Sequence, residues 1–309
     1  MIEILTPENE TAWLALRKND ITSTESPALF GLSPYSTPFE LYHTKRGVDA
    51  GFPDNDRITW GQRLQDVIAA GIASDQGWTV RRMDEYLRDP ALRMGASYDF
   101  EVICPTRGKG VLEIKNVDSL IYKNEWIGGD TPEAPSHIEI QHQHQLELAR
   151  HHGYTWGCIA ALVGGNSTKL IFREYDPKVG AALRASIEKF WAMSEAPEPD
   201  YREDAEFISL LYKYVEPGKV LDLSDSAKAT KVAAALNTLS EIKNNAERGC
   251  EALKAELLMM IGDAEKVTLD GYNISAGFVG PASISYERSG YRTFRLTEKK
   301  KKESKGEAA

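Results

Sequence analysis

Apolar positions change their period several times along this chain. Glu8 to Leu16 spaces its apolar residues at helical intervals, and Ile21 to Phe30 reads as a second helix, opened by Thr22, Ser23 or Thr24 and closed by Gly31. A turn-rich run, GLSPYSTPF, separates these from a helix that begins at Pro38 and ends near Arg46-Gly47. Beyond a Gly/Pro/Asp loop, Trp60, Leu64, Val67 and Ile68 recur at helical spacing and place Gln65 and Asp66 on that helix. The pattern then alternates through Trp78, Val80, Ala96 and Tyr98 into Asp99-Phe-Glu-Val-Ile-Cys, the turn Thr-Arg-Gly-Lys-Gly, and Val-Leu-Glu-Ile-Lys. That reads as strand, turn, strand.

Downstream, Ile138 to His151 predicts a helix, Thr155 to Val163 a buried strand, Gly164 to Asn166 a turn, Lys169 to Tyr175 a strand, and Val179 to Met193 a helix. The fold class is therefore α/β, a mixed central sheet flanked by helices. A Pro-rich break at 196–200 precedes a short helix, Ala205 to Tyr214. We divide the chain into residues 1–215 and a C-terminal appendage, 216–309. In the appendage, Val232, Leu236, Leu239, Ile242, Leu253, Leu257 and Met260 fit one or two long amphipathic helices between Ser224 and Gly262. A small β element is expected over Lys266 to Arg295, followed by a basic tail containing Lys299 to Lys302 that has the composition of a disordered, solvated segment.

Composition narrows the classes. None of the 309 residues falls in an apolar run long enough to span a bilayer, and the acidic start MIEILTPENE has no basic region followed by an apolar one, so a cytoplasmic protein is expected, with no membrane partner. Cys104, Cys158 and Cys250 are widely spaced and form no CxxC pair, so neither a disulfide framework nor a structural zinc site is suggested, and buried free thiols are the expectation. A net charge of −9 argues against a uniformly basic surface, yet a locally basic channel on an acidic body still binds DNA.

The hairpin carries the chemistry. A turn centred near Thr106 sets Asp99 opposite Glu113, and Lys115, two residues on, projects from the same face, whereas Phe100, Val102, Leu112 and Ile114 project from the other. Paired carboxylates repel and raise each other's pKa unless a cation lies between them. Hard Mg²⁺, or Mn²⁺, suits Asp99, Glu113 and the backbone carbonyl of Ile114, and Lys115 then stands where it can position water or stabilise charge on a phosphate. Asp, Glu and Lys on a hairpin also occur as a merely solvated face, so further segments must decide. His142 and His144 are two apart on a helix and do not face each other, which disfavours a zinc site. Asn166-Ser-Thr168, a glycosylation-type triplet, reads as a turn.

Taken together, Trp13-x3-Arg17, Ile21-Thr-Ser-Thr-Glu25, Gly31-Leu-Ser-Pro-Tyr-Ser-Thr-Pro38, Trp60-Gly-Gln-Arg-Leu-Gln65, Gly95-Ala-Ser-Tyr-Asp99, Leu112-Glu-Ile-Lys115 and Gln141-His-Gln-His-Gln-Leu146 resemble the lambda-exonuclease-like, YqaJ-type viral recombinase family of the PD-(D/E)xK superfamily. The resemblance covers Trp13 to Met193. It implies a PD-(D/E)xK restriction-endonuclease-like core with Asp99 and Glu113 as metal carboxylates, Lys115 as the catalytic lysine, and Gln141 near the reacting phosphate. By the same resemblance Arg17, Thr24 and Ser97 bind the 5′-terminal phosphate of DNA, and Thr24 stands where serine is common. Residue-level alternatives are a helix cap or a Glu25 pair for Arg17, capping hydroxyls for Thr24 and Ser97, and a solvent-facing amide for Gln141.

Gln65 departs from the family, which usually has a glutamate metal ligand there; its amide oxygen can ligate without charge, or Asp66 compensates if the helix rotates. The resemblance further implies a metal-dependent deoxyribonuclease, a 5′-to-3′ exonuclease on linear double-stranded DNA ends that leaves 3′ overhangs for recombination. A ring-shaped homo-oligomer such as a trimer, a single-strand annealing protein as partner, and a phage or prophage origin in a bacterial cell are implied likewise. A PD-(D/E)xK endonuclease or repair nuclease, and a decayed DNA-end-binding protein, are the alternatives; three dispersed cysteines cannot supply the four thiolates of an iron–sulfur relative.

Overall fold

The computed structural model describes residues 1–48, 51, 56–126, 132–288 and 290–297. The loop at 52–55 and the lysine run 299–302 lie outside the described residues. The chain divides into two compact units, Met1–Leu211 and Tyr212–Ala309.

In chain order the first unit contains β1 (Glu3–Leu5), α1 (Glu10–Asn19), β2 (Ile21–Thr22), a 3₁₀ segment Ser26–Phe30, α2 (Pro38–Thr44), α3 (Asp56–Gln76), β3 (Thr79–Arg82), β4 (Tyr86–Asp89), β5 (Met94–Ser97), β6 (Phe100–Cys104) and β7 (Gly108–Val117). It continues with α4 (Ser119–Glu125), α5 (Ser136–Ala149), β8 (Trp156–Val163), β9 (Ser167–Glu174), α6 (Pro177–Ala192) and α7 (Ala205–Leu211). The second unit contains α8 (Ala227–Ile261), β10 (Lys266–Leu269) and β11 (Tyr272–Ser275).

Five strands form the main sheet in the order β3-β6-β7-β8-β9. Only β7 and β8 run parallel, so the chain must cross over between them, and α5 is that crossover. Alternation along β7 sorts its side chains between two helices. Leu112 and Ile114 join Phe100 and Val102 against Ile68, Ala69 and Ile72 of α3, whereas Val111 packs with Leu146 and Leu148 of α5. Each fully buried aliphatic side chain of this kind contributes roughly 1.5–3 kcal/mol. On the α5 side, Glu113 and Lys115 occupy positions that the alternation would otherwise give to apolar residues.

A second sheet, β1-β4-β5-β2, extends from the chain just before β6. Asp20, fully buried, accepts hydrogen bonds from Arg88 Nη2 (2.7 Å), Arg88 Nε (2.9 Å) and Tyr86 Oη (3.2 Å), which ties the end of α1 to this sheet.

The structure alters several expectations. Ile21 to Phe30 is not one helix: Ile21 and Thr22 are buried and pair in parallel with Met94 and Gly95, residues 23–25 form a turn, and Ser26–Phe30 is a 3₁₀ segment. Proline cannot donate to a helical ladder and disfavours the α conformation in the residue before it, which explains the division. In α3, Leu64 and Ile68 face the core, but Trp60 and Val67 are exposed. Cys104 and Cys158 are buried as expected, whereas Cys250 is exposed. The C-terminal helix is single, and the strand pair after it ends at Ser275 rather than continuing towards Arg295. Among the described residues, no helix is long and apolar enough to cross a membrane.

Candidate active site

The β6–β7 register places Phe100 against Leu112 and Cys104 against Gly108, so the turn is centred on Thr106 and Asp99 falls opposite Glu113. Gly108 closes that turn at φ 74°, a conformation that glycine adopts without strain. Asp99 sits in the bend before β6, half-buried; its Oδ2 accepts from the Ile114 backbone N–H at 2.8 Å and its Oδ1 from Gln65 Nε2 at 2.9 Å. Glu113, 5% exposed, is held by three donors: Lys115 Nζ (2.7 Å) and Gln141 Nε2 (2.6 Å) at Oε1, and Gln145 Nε2 (2.8 Å) at Oε2. Lys115 also donates to Gln141 Oε1 at 3.1 Å.

These contacts separate the two carboxyls electrostatically. Burial, and then repulsion from Glu113, push the Asp99 carboxyl up to about 7, against the opposing pull of the Ile114 N–H and Lys115. Burial also acts upward on Glu113, but the charge and hydrogen bond of Lys115, with the Gln145 amide, hold it below the usual carboxylate range. For Lys115, the pull of Glu113 and Asp99 outweighs burial and raises its pKa, so it carries its charge at neutral pH. His142 and His144 are fully buried and pushed down by that burial to about 4 and about 3, so both are neutral. They bond to Gln145 Oε1 (3.3 Å) and to the Gly95 carbonyl (3.0 Å) as parts of the interior.

A hydrogen-bonded path leads from Glu113 to the other predicted residues. Gln145 Nε2 donates to the Ser97 carbonyl (3.1 Å) as well as to Glu113, the Trp13 indole donates to Ser97 Oγ (2.8 Å), and Arg17 lies over the Trp13 ring, 4.6 Å from its centroid. Arg17 Nη2 then donates to Thr24 Oγ1 (3.1 Å). Arg17, Thr24 and Ser97 therefore form one cluster, although they come from α1, the turn after β2 and β5. Lys45, its ammonium donating to the carbonyls of Arg17 and Asp20 and paired with Glu25, each at 2.7 Å, secures the backbone beneath them. Glu25 is thus engaged by Lys45 rather than by Arg17.

Asp66 does not stand in for Gln65; it is exposed and pairs with Arg82 at 2.9 Å. Gln141 is buried rather than a solvent-facing amide. The sequence reading missed Gln145, although its place four residues after Gln141 puts it on the same helix face. It also missed Lys45, which no local pattern marks.

Among the described residues, no group of three or more His, Cys, Asp and Glu side chains converges as a metal site. The two facing carboxylates, one with a pKa raised by burial and by its neighbour's charge, are nonetheless hard oxygen ligands of the kind a divalent cation takes, although Gln65 turns its amide N–H rather than its oxygen towards Asp99.

A helix, an antiparallel three-strand unit, a crossover helix and a parallel strand, with an Asp, a Glu-x-Lys and a helical glutamine at their meeting point, form the arrangement that the resemblance to PD-(D/E)xK nucleases implies. Residues 12–152 match the model of the YqaJ-like viral recombinase domain. The uncharacterized protein YqaJ of Bacillus subtilis (strain 168) is 28% identical, over 82% of this chain and 81% of its own. Among solved structures, an alkaline exonuclease from Laribacter hongkongensis is 16% identical with a TM-score of 0.44, covering 64% of this chain and 95% of its own. A phage-related exonuclease from Haemophilus somnus 129PT is 10% identical with a TM-score of 0.39, covering 56% and 93% respectively.

Proposed function

We propose that this protein is a magnesium-dependent 5′-to-3′ exonuclease that acts on linear double-stranded DNA and leaves 3′ single-stranded overhangs for phage-type recombination. The observation that carries this reading is the continuous path from Lys115 and Glu113, through Gln145 and Ser97, to Trp13, Arg17 and Thr24. It joins a phosphodiester-cleaving constellation to a cationic, hydroxyl-lined cluster suited to a terminal phosphate.

Asp99, Glu113 and the Ile114 carbonyl are the residues that would hold Mg²⁺, with Gln65 as a neutral neighbour. The cation, when bound, would polarise the scissile phosphate and lower the pKa of a water. Lys115, kept charged by Glu113, orients the attacking water and stabilises charge that develops on the phosphate. Gln141, bonded to both Lys115 and Glu113, fixes their relative positions. Arg17 reads the 5′ phosphate, Thr24 and Ser97 adding hydroxyl donors. A ring-shaped homo-oligomer and a single-strand annealing partner belong to the same proposal.

Release of acid-soluble nucleotides from linear duplexes with a 5′ phosphate or a 5′ hydroxyl, with Mg²⁺ or EDTA, tests this. Mg²⁺-dependent release that favours the 5′ phosphate and spares covalently closed circles is expected. Nicking of the circle would reassign the protein as an endonuclease, and end binding without release would make it a decayed end-binding protein.

A further inference from the structure

Helix α8 belongs to the second unit and buries none of its residues, although it is the longest helix among those described. Most of its exposed large apolar residues share one spacing, Ile242, Leu258 and Met259 lying outside it. Taking positions 229, 236, 243, 250 and 257 as a and 232, 239, 246, 253 and 260 as d of a heptad gives Ala, Leu, Lys, Cys, Leu and Val, Leu, Ala, Leu, Met. Every member of both sets is apolar except Lys243. A strict 3.5-residue spacing sustained this far is the seam of a two-stranded coiled coil rather than the broader stripe of a helix packed on a globular core.

The order of residues within the seam selects the partner and its direction. In a parallel pair each layer repeats itself, so Lys243 would meet Lys243 and Ala246 would meet Ala246, giving one layer of like charge and another with a void. In an antiparallel pair, layers join an a position to a d position whose numbers sum to 489. Ala229 then meets the partner's Met260, Val232 the partner's Leu257, Leu236 the partner's Leu253, Leu239 the partner's Cys250, and Lys243 the partner's Ala246. All ten positions are used, and small residues lie opposite large ones. The Lys243 ammonium already lies 3.7 Å from Glu247, four residues on, so its stem crosses the small partner's Ala246 while its charge leaves the seam. At the other end, Val232 and Leu236 border an open groove with Phe294 and Leu296.

We infer that α8 is a homodimerisation element that forms an antiparallel coiled coil with a second copy of this chain. The arrangement is isologous, so one sequence serves both sides. It does not rest on the nuclease reading.

Sedimentation of the full chain tests it. The wild type should exceed Leu236→Asp in molar mass, by a factor of two where the first unit is itself monomeric, because the variant places a charge in two layers of the dimer. Equal masses would overturn the proposal, including the case in which α8 folds back on its own chain.

Cross-linking gives the direction independently. In the antiparallel pair the two Cys250 residues lie about 16 Å apart along the axis, from eleven residues at about 1.5 Å each, beyond a short bis-maleimide. The other two cysteines are buried. Wild type should therefore stay monomeric on a denaturing gel, Leu239→Cys should become a covalent dimer, and adding Cys250→Ser should abolish it. A wild-type dimer cross-linked through Cys250 would overturn the antiparallel arrangement.

Discussion

Helices α5 and α8 invert the simple rule that apolar residues go inside. Helix α5 buries Gln141, His142, Gln143, His144, Gln145 and Glu147, whereas α8 leaves leucines and methionines in solvent. The difference lies in what each helix meets. Most polar groups of α5 find partners, among them Glu113, the carbonyls of Ser97, Gly95 and Glu174, and the guanidiniums of Arg150 and Arg184 around Glu147, while His142 Nε2 and His144 Nδ1 have no protein partner among the described residues. A buried polar group that is hydrogen-bonded is tolerated, and a satisfied network specifies one arrangement. Helix α8 presents apolar groups with no strand or helix of its own unit to cover them.

The contrast predicts unequal responses to substitution. The largest effect is expected from Lys115→Ala, which removes the charge beside Glu113 and should lower nucleotide release by about 10³-fold, the scale found when one stabilising group is lost from a preorganised site. A single-turnover assay at saturating DNA checks this, and a change below tenfold would remove Lys115 from the reaction.

Gln145→Ala comes next: it strands the Glu113 Oε2 and the Ser97 carbonyl together, and should cost about 3 kcal/mol in urea unfolding, since each unsatisfied buried group costs about 1–3 kcal/mol. Wild-type stability in this variant would mean that the bridge is not formed in solution.

Gly157→Ala should cost about 2 kcal/mol by overpacking, because the new methyl would run into the His142 ring behind Glu113. Gly249→Ala, in α8, meets nothing within 4 Å and should instead stabilise that helix by up to about 1 kcal/mol through propensity alone. Thermal melts of the two variants should therefore shift in opposite directions; shifts of the same sign would erase the distinction between the two helices.

Asp99→Asn probes the electrostatic side. With the carboxyl raised to about 7, the folded state keeps a proton that the unfolded chain has released from about pH 4 upward, so stability falls as pH rises through that window. In EDTA the variant should melt a few degrees higher than wild type at pH 8 and match it near pH 4, while losing activity with Mg²⁺. An equal offset at both pH values would show that Asp99 is not perturbed.

Much of the site was legible because it is local. Asp99, Glu113 and Lys115 lie on one hairpin, where the strand period and turn centre assign them to a face. The strands of the second sheet were harder to read: β1 and β4 are short, and β2 is a strand of two residues whose identity rests on pairing with β5, seventy residues on. Likewise, exposed Trp60 and Val67 fall within a helical pattern that does not say which side meets the sheet.

By itself, the sequence determined the hairpin and its register, the helix and buried strand that follow it, and the amphipathic helical character of the segment after Ser224, because each depends on spacing within one stretch of chain. Only the tertiary structure decided that Gln145 bridges Glu113 to Ser97, that Lys45 underlies Arg17, and that a helix rich in glutamine and histidine is buried. Those outcomes depend on hydrogen-bond partners brought together from distant segments, and the balance of desolvation against pairing is set only once they meet.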